Sequence, residues 1–168
     1  VQGNLSKHKA GYPTADALLA VAATGQPEYG LAATGEGKSS PGSRLILAAA
    51  DKADERPLWI SVWGGANTLA QALMDARRER STEDLAKLVA RLKVYSISDQ
   101  DDAGPWLRRE FQELFWIVSP SNAGPGEYHR ATWTGIAGDR FYRNGPMHKF
   151  AWVDNPWLEE NIIKNHGP

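Results

Sequence analysis

No cysteine occurs among the 168 residues, which excludes disulfides, thiolate nucleophiles and cysteine-held metals and leaves the redox compartment unreadable. Charge of one sign is missing as well. Nineteen Lys and Arg stand against twenty Asp and Glu, a formal net charge of −1, so there is no strong field to recruit nucleic acid or an anionic membrane. No apolar run approaches the roughly 20 residues of a membrane-crossing helix. Of the four histidines (His8, His129, His148 and His166) none stands at metal-ligand spacing from another. There is no Gly-x-Ser-x-Gly nucleophile elbow. Gly35-Glu36-Gly37-Lys38-Ser39 falls short of a phosphate loop, because Ala32 occupies the position of its first glycine and no strand precedes it. An initiator Met and a leader are absent too. The chain starts Val1-Gln2-Gly3-Asn4 and stops at His166-Gly167-Pro168, a helix-stop signal, and is read as an internal piece of something longer.

What is present is the balance of an ordinary globular protein, 42% hydrophobic and 23% charged, enough for one real core in a single domain or part of one. Pro13-Thr14 opens a helix with Leu18, Leu19, Ala22 and Ala23 as apolar positions and Gly25 as its stop. A loop over 26–40 follows. Ser40-Pro41 then caps a helix carrying Leu45, Ile46, Ala49 and Ala50. Pro57 to Trp63 is apolar at nearly every position, as in a strand buried on both faces of a parallel sheet. Gly64-Gly65 turns the chain, and Asn67 or Thr68 caps a helix with Leu69, Ala70, Leu73 and Met74 on one face. Ser81 and Asp84 resemble a capping box ahead of the Leu85, Leu88, Val89, Leu92 stripe. Val94–Ser98 reads as a second strand, Pro105–Phe111 as a short helix and Leu114–Val118 as a third strand. The alternation predicts an α/β fold with a mostly parallel sheet and helices on both faces. Residues 120–150 have no sustained period and are rich in Gly and aromatics, an irregular loop region. Asn155-Pro156 opens a last helix with Leu158, Ile162 and Ile163.

Ligands of open parallel sheets bind at the carboxyl ends of the strands, and two strand exits here are chemically unusual. At Trp63-Gly64-Gly65-Ala66-Asn67-Thr68, two glycines let backbone approach a ligand and a helix start offers N–H groups; a tight turn with an Asn cap explains it equally. At Ser98-Asp99-Gln100-Asp101-Asp102, three carboxylates crowd into four residues, which suits a cation, sugar hydroxyls or a helix cap, with Asp102 at the cap position. Trp59, Trp106 and Trp116 sit within regular elements and are expected in the core, whereas Trp63, Trp133 and Trp152 are candidates to stack on a sugar or base ring. Glu127-Tyr128-His129-Arg130 is a candidate pocket rim.

These two exits carry a resemblance. Pro57-Leu58-Trp59 with Trp63-Gly64-Gly65-Ala66-Asn67-Thr68-Leu69-Ala70-Gln71-Ala72-Leu73, Val94 through Asp102 with Gly104-Pro105-Trp106, Gly11-Tyr12-Pro13, and Asn155-Pro156-Trp157-Leu158 are similar to a family of nucleoside-hydrolase-related bacterial proteins often labelled cellulose-binding. The likeness covers nearly all of residues 1–168, which would then form part of a single, incomplete, Rossmann-like nucleoside-hydrolase-like domain. It implies hydrolysis of a glycosidic or N-glycosidic bond by a metal-held water in the intact parent; the alternative is a non-catalytic carbohydrate-binding protein on the same fold. It implies calcium, held in the wider superfamily by an aspartate cluster that this chain lacks and by a turn carbonyl, here that of Asn67. It assigns Asp99 and Asp101 to catalysis, as general base or hydroxyl contacts. Trp63, Asn67, Gln100, Asp102, Glu36 and Lys38 would bind substrate, the last two from a flexible loop over it. The implied partner is a sugar-containing small molecule or glycan, with neither nucleic acid nor membrane; a homo-oligomer is compatible, and the location would be secreted or periplasmic. The 168-residue piece alone is expected to be inert.

Overall fold

The computed structural model describes residues 7, 8, 10–118 and 155–165. The chain is α/β. Helices α1 (Ala15–Leu19) and α2 (Pro41–Ala50) precede a three-stranded parallel sheet in the order β1 (Leu58–Val62), β2 (Leu92–Ser96), β3 (Phe115–Val118). Leu58 pairs with Leu92 and Val62 with Ser96; Lys93 pairs with Phe115 and Ser96 with Val118. Parallel neighbours need long crossovers. The first is made by α3 (Asn67–Glu79) and α4 (Thr82–Arg91), the second by α5 (Ala103–Glu110). A one-turn helix α6 (Asn155–Leu158) continues as a π-turn over Glu159–Ile163. The irregular region at 120–150, with Glu127–Arg130 and Trp133, lies outside the described residues, as does Trp152.

One core holds these elements. Leu58, Ile60, Val62, Leu92, Val94 and Trp116 from the strands meet Leu47 and Ala50 of α2, Leu69, Ala70, Leu73 and Ala76 of α3, Leu88 and Val89 of α4, and Leu107 of α5. The alanines along α3 let its neighbours pack closely, so this helix is the spine of the layer. The helices that enter this core account for one face of the sheet. The alternate strand residues point the other way, and among the described residues that face carries exposed Trp59, Tyr95, Phe115 and Ile117. Trp59, expected in the core, is 56% exposed, because strand alternation sends it opposite Leu58 and Ile60. Its ring meets Phe115 edge-on, at 5.9 Å and 84°, so the two do not form a flat platform. Trp106 and Trp116 pack against the core as expected.

Several elements differ from the sequence reading in extent or in capping. α1 ends at Leu19 and buries none of its residues, so its apolar positions supply no packing to prolong it. β2 starts two residues early, at Leu92, because α4 ends where Leu92 turns extended and pairs with Leu58. It also ends early, where the Ser96 hydroxyl donates to the Ser98 carbonyl at 2.6 Å. α2 has the full Ser40 capping box, completed by Ser43 rather than an acid.

Candidate functional site at the exits of β1 and β2

The two unusual exits lie side by side. Pairing of β1 with β2 continues past the strands through the Ile97 N–H, which donates to the Val62 carbonyl at 3.2 Å. Gln100 Nε2 donates to the Trp63 carbonyl at 2.9 Å. The buried Asp101 carboxylate joins the two turns: Oδ2 accepts from the Asn67 N–H at 3.2 Å and Oδ1 from the Ala103 N–H at 3.1 Å. Asn67 and Ala103 are the first residues of α3 and α5. One carboxylate therefore serves the N-termini of two helices, where negative charge is favoured by orphan N–H groups and by the dipole.

This changes the expected caps. Neither Asn67 nor Thr68 caps α3. Ala66 holds the cap position without a side-chain bond, the Asn67 amide donates to the Glu28 carbonyl at 2.7 Å, and Thr68 Oγ1 accepts from the Gln26 N–H at 3.2 Å. Asp102 does hold the cap position of α5, but its backbone is helical (ψ −9°) and its side chain makes no cap bond. A capping side chain reaches back only from an extended residue. Asp102 Oδ1 instead accepts from the Leu31 N–H at 2.8 Å. Asp99 lies in a two-pronged ion pair with Arg108, both N–H···O distances being 2.8 Å. The Arg108 guanidinium also lies over the Trp116 ring, 5.5 Å from its centroid.

Segment 24–31 closes the arrangement from a third side, with the Tyr29 hydroxyl donating to the Gln100 carbonyl at 3.0 Å. Trp63 follows the end of β1, 61% exposed, its indole N–H donating to Ser61 Oγ at 2.7 Å. The structure thus brings Trp63, Asn67, Asp99, Gln100, Asp101 and Asp102 into one neighbourhood.

Glu36 and Lys38 lie on a separate loop. Their loop runs along α3, where Gly35 exchanges two hydrogen bonds with the Gln71 amide at 2.8 and 2.9 Å. Gln26 Nε2 donates to the Lys38 carbonyl, and Lys38 Nζ to the Ala32 carbonyl. Ser39 Oγ donates to Asp75 Oδ2 at 2.6 Å. A loop with these bonds is clamped to α3 at Gln71 and Asp75, and through Gln26 to Thr68 in the first turn of that helix. Beside it, Glu79 is held down to about 2 by hydrogen bonds from the Arg44 and Arg78 guanidiniums.

Gln71, Asp75 and Arg108 escaped the sequence reading. A signal was there for the first two: polar residues four apart share one face of a helix whose opposite face carries Leu69 and Leu73.

The calcium ion implied by the family likeness can be tested against these donors. Such an ion takes about six to eight oxygen ligands. Here the carboxylate oxygens of Asp99 and Asp101 and one of Asp102 are bonded to backbone amides or a guanidinium. Among the described residues no three His, Cys, Asp or Glu gather as metal ligands. These residues do not by themselves fit the ion.

Residues 1–168 match the family described as cellulose-binding Sde182, nucleoside hydrolase-like domain. A solved structure similar to this chain is that of a nucleoside hydrolase-related hypothetical protein from Saccharophagus degradans that is associated with carbohydrate metabolism. The two are 44% identical over 73% of this chain, with a TM-score of 0.64. The match spans 30% of that protein's length. No curated protein sequence matches the chain significantly.

Proposed function

This chain belongs to the nucleoside hydrolase-like domain family of cellulose-binding Sde182, and we propose that it supplies one wall of a carbohydrate-recognition site at the joined exits of β1 and β2. The observation that carries this reading is the fastening of the two exits by Asp101 and Gln100 directly beside exposed Trp63. A flat indole covers the apolar face of a sugar ring, and the backbone at Gly64, with nothing within 4 Å of an added Cβ, is open to hydroxyls. The ligand is a glucan or another sugar-containing molecule, in keeping with the cellulose-binding name of the family and the carbohydrate association of the S. degradans protein.

In this reading Asp99 and Asp101 hold the site rather than react. Both are nearly buried, Asp101 across two backbone amides and Asp99 against the Arg108 guanidinium, whereas a general base must reach the proton it takes. Hydrolysis of a glycosidic or N-glycosidic bond by the intact protein would draw its reacting group from outside the described residues. Binding is therefore the function that the geometry supports best.

Calorimetric titration of the intact protein with a cello-oligosaccharide, and separately with a nucleoside, tests the reading. Binding of the oligosaccharide is expected, weakened about tenfold in Trp63→Ala, since an aromatic contact is worth about 0.5–1.5 kcal/mol and 1.4 kcal/mol is a factor of ten. The melting temperature should hold, because Trp63 stands outside the core. Absence of sugar binding, or equal affinity in the variant, would remove the site.

A further inference from the structure

We propose that the acidic turn at 99–102 is a metal-independent clasp, in which backbone amides and an arginine occupy the carboxylate oxygens that a divalent cation would otherwise gather. The inference extends the site reading above but is tested apart from it.

Two independent sets of observations lead there. The first is bonding. Asp101 spans the Asn67 and Ala103 amides, Asp102 takes the Leu31 amide, and Asp99 is locked by the Arg108 fork. A cation next to that fork would meet a fixed positive charge. The second is space. A Cβ added to Gly65 would lie 2.4 Å from Asp101 Oδ2, one on Gly30 2.3 Å from Asp102 Oδ1, and one on Gly104 2.7 Å from Asp99 Oδ1. Each carboxylate is thus covered by glycine backbone at a distance that even a methyl group cannot share. A cation needs a shell of about six or more oxygen ligands, and it would have to displace amide and guanidinium bonds from oxygens that glycine backbone also covers on one side.

The chemistry follows from what is joined. The first residues of α3 and α5 and the start of segment 31–33 all offer N–H groups toward the same turn. Three carboxylates within four residues would repel one another if left bare. Distributed over three amides and one guanidinium, they draw both strand exits and the 24–31 segment together. The ligand surface is thereby pre-organised by the fold itself, and sugar recognition at this wall needs no cation.

The test is a linkage measurement on the intact protein, Asp101→Asn and Asp102→Asn, with calcium alone as the probe. Calcium affinity is read by calorimetry, and the melting temperature is read with calcium and with chelator. The clasp predicts the same calcium affinity, or the same lack of it, in all three proteins. It also predicts a lower melting temperature for Asp101→Asn by an equal amount in both conditions, since a ligand that does not meet the residue cannot couple to it. Gly65→Ala should reproduce that drop, and the Gly65→Ala/Asp101→Asn pair should cost less than the sum of the two. Loss of calcium affinity by about tenfold or more in either Asp variant, the size typical of disturbed metal sites, would overturn the proposal. Asp102→Asn carries the test if Asp101→Asn fails to fold. Sugar titration of the unaltered protein reports on the site reading separately: it can fail while the clasp stands, and the reverse.

Discussion

Replacing Asp75 with alanine should lower the unfolding free energy by about 3–5 kcal/mol. The side chain is fully buried on α3, and its carboxylate accepts hydrogen bonds from Ser39 Oγ at 2.6 Å and from Gln71 Nε2 and Arg78 at 2.9 Å. Arg78 is 41% exposed and returns to water, so its share is small. Gln71 cannot, being fully buried, and a buried donor left without its partner costs about 1–3 kcal/mol beyond the lost charge-assisted bond of similar size. Urea unfolding reads the sum. Asp75→Asn keeps the shape but halves the acceptors, and should fall between the two. The Gly35–Ser39 stretch should then be cut by protease in Asp75→Ala before it is in the unaltered protein, since Ser39 loses its bond to Asp75 while Gln71 still holds Gly35. A loss below about 1 kcal/mol, the value of one ordinary hydrogen bond, would mean that the loop is held by its other contacts.

Gly30→Ala should be nearly as damaging, by about 2–4 kcal/mol. Gly30 sits at φ 62°, ψ −157°, a region essentially reserved for glycine that costs other residues about 1–3 kcal/mol. The new methyl would also press on Asp102 Oδ1 and break its bond to the Leu31 N–H, adding about 1 kcal/mol for a bond at the surface. Gly35→Ala separates the two terms. Gly35 has φ 133° with nothing within 4 Å of the added atom, so only backbone strain remains. The ordering Gly30→Ala worse than Gly35→Ala, by thermal or urea unfolding, is the expected result. Equal losses would show that Asp102 moves aside freely.

The fold was legible where apolar spacing alone decides structure. Pro57 to Trp63 announces a strand and the Leu85, Leu88, Val89 stripe a helix, but the apolar run was expected to be buried on both faces and Trp59 and Ser61 are exposed on one of them. The end of α4 was not legible, since Leu92 continues the helical stripe and only its pairing with Leu58 pulls it into β2. The same limit governs the site. Its location followed from two glycine- and acid-rich strand exits and from the rule that parallel strands deliver ligands to their carboxyl ends. The duties of the acids did not. Asp101 meets an amide 34 residues away and Asp102 one 71 residues away, and no spacing within Asp99–Asp102 encodes which N–H will stand opposite. Asn67 looked like a cap because Asn is a good one, yet a carboxylate from the neighbouring strand exit took that amide. Glu36 and Lys38 were assigned by resemblance to a flexible loop, and no spacing there announces that Gln71 and Asp75 bind that loop to α3.

Amide hydrogen exchange on the intact protein, with and without a saturating cello-oligosaccharide, tests the central claim most directly. The account predicts slowed exchange concentrated at 63–67 and 98–103, the two strand exits fastened by Asp101, with β1 and β2 themselves unchanged. Protection confined to the 33–40 loop or to the exposed Trp59 and Phe115 face, with none at the exits, would contradict it.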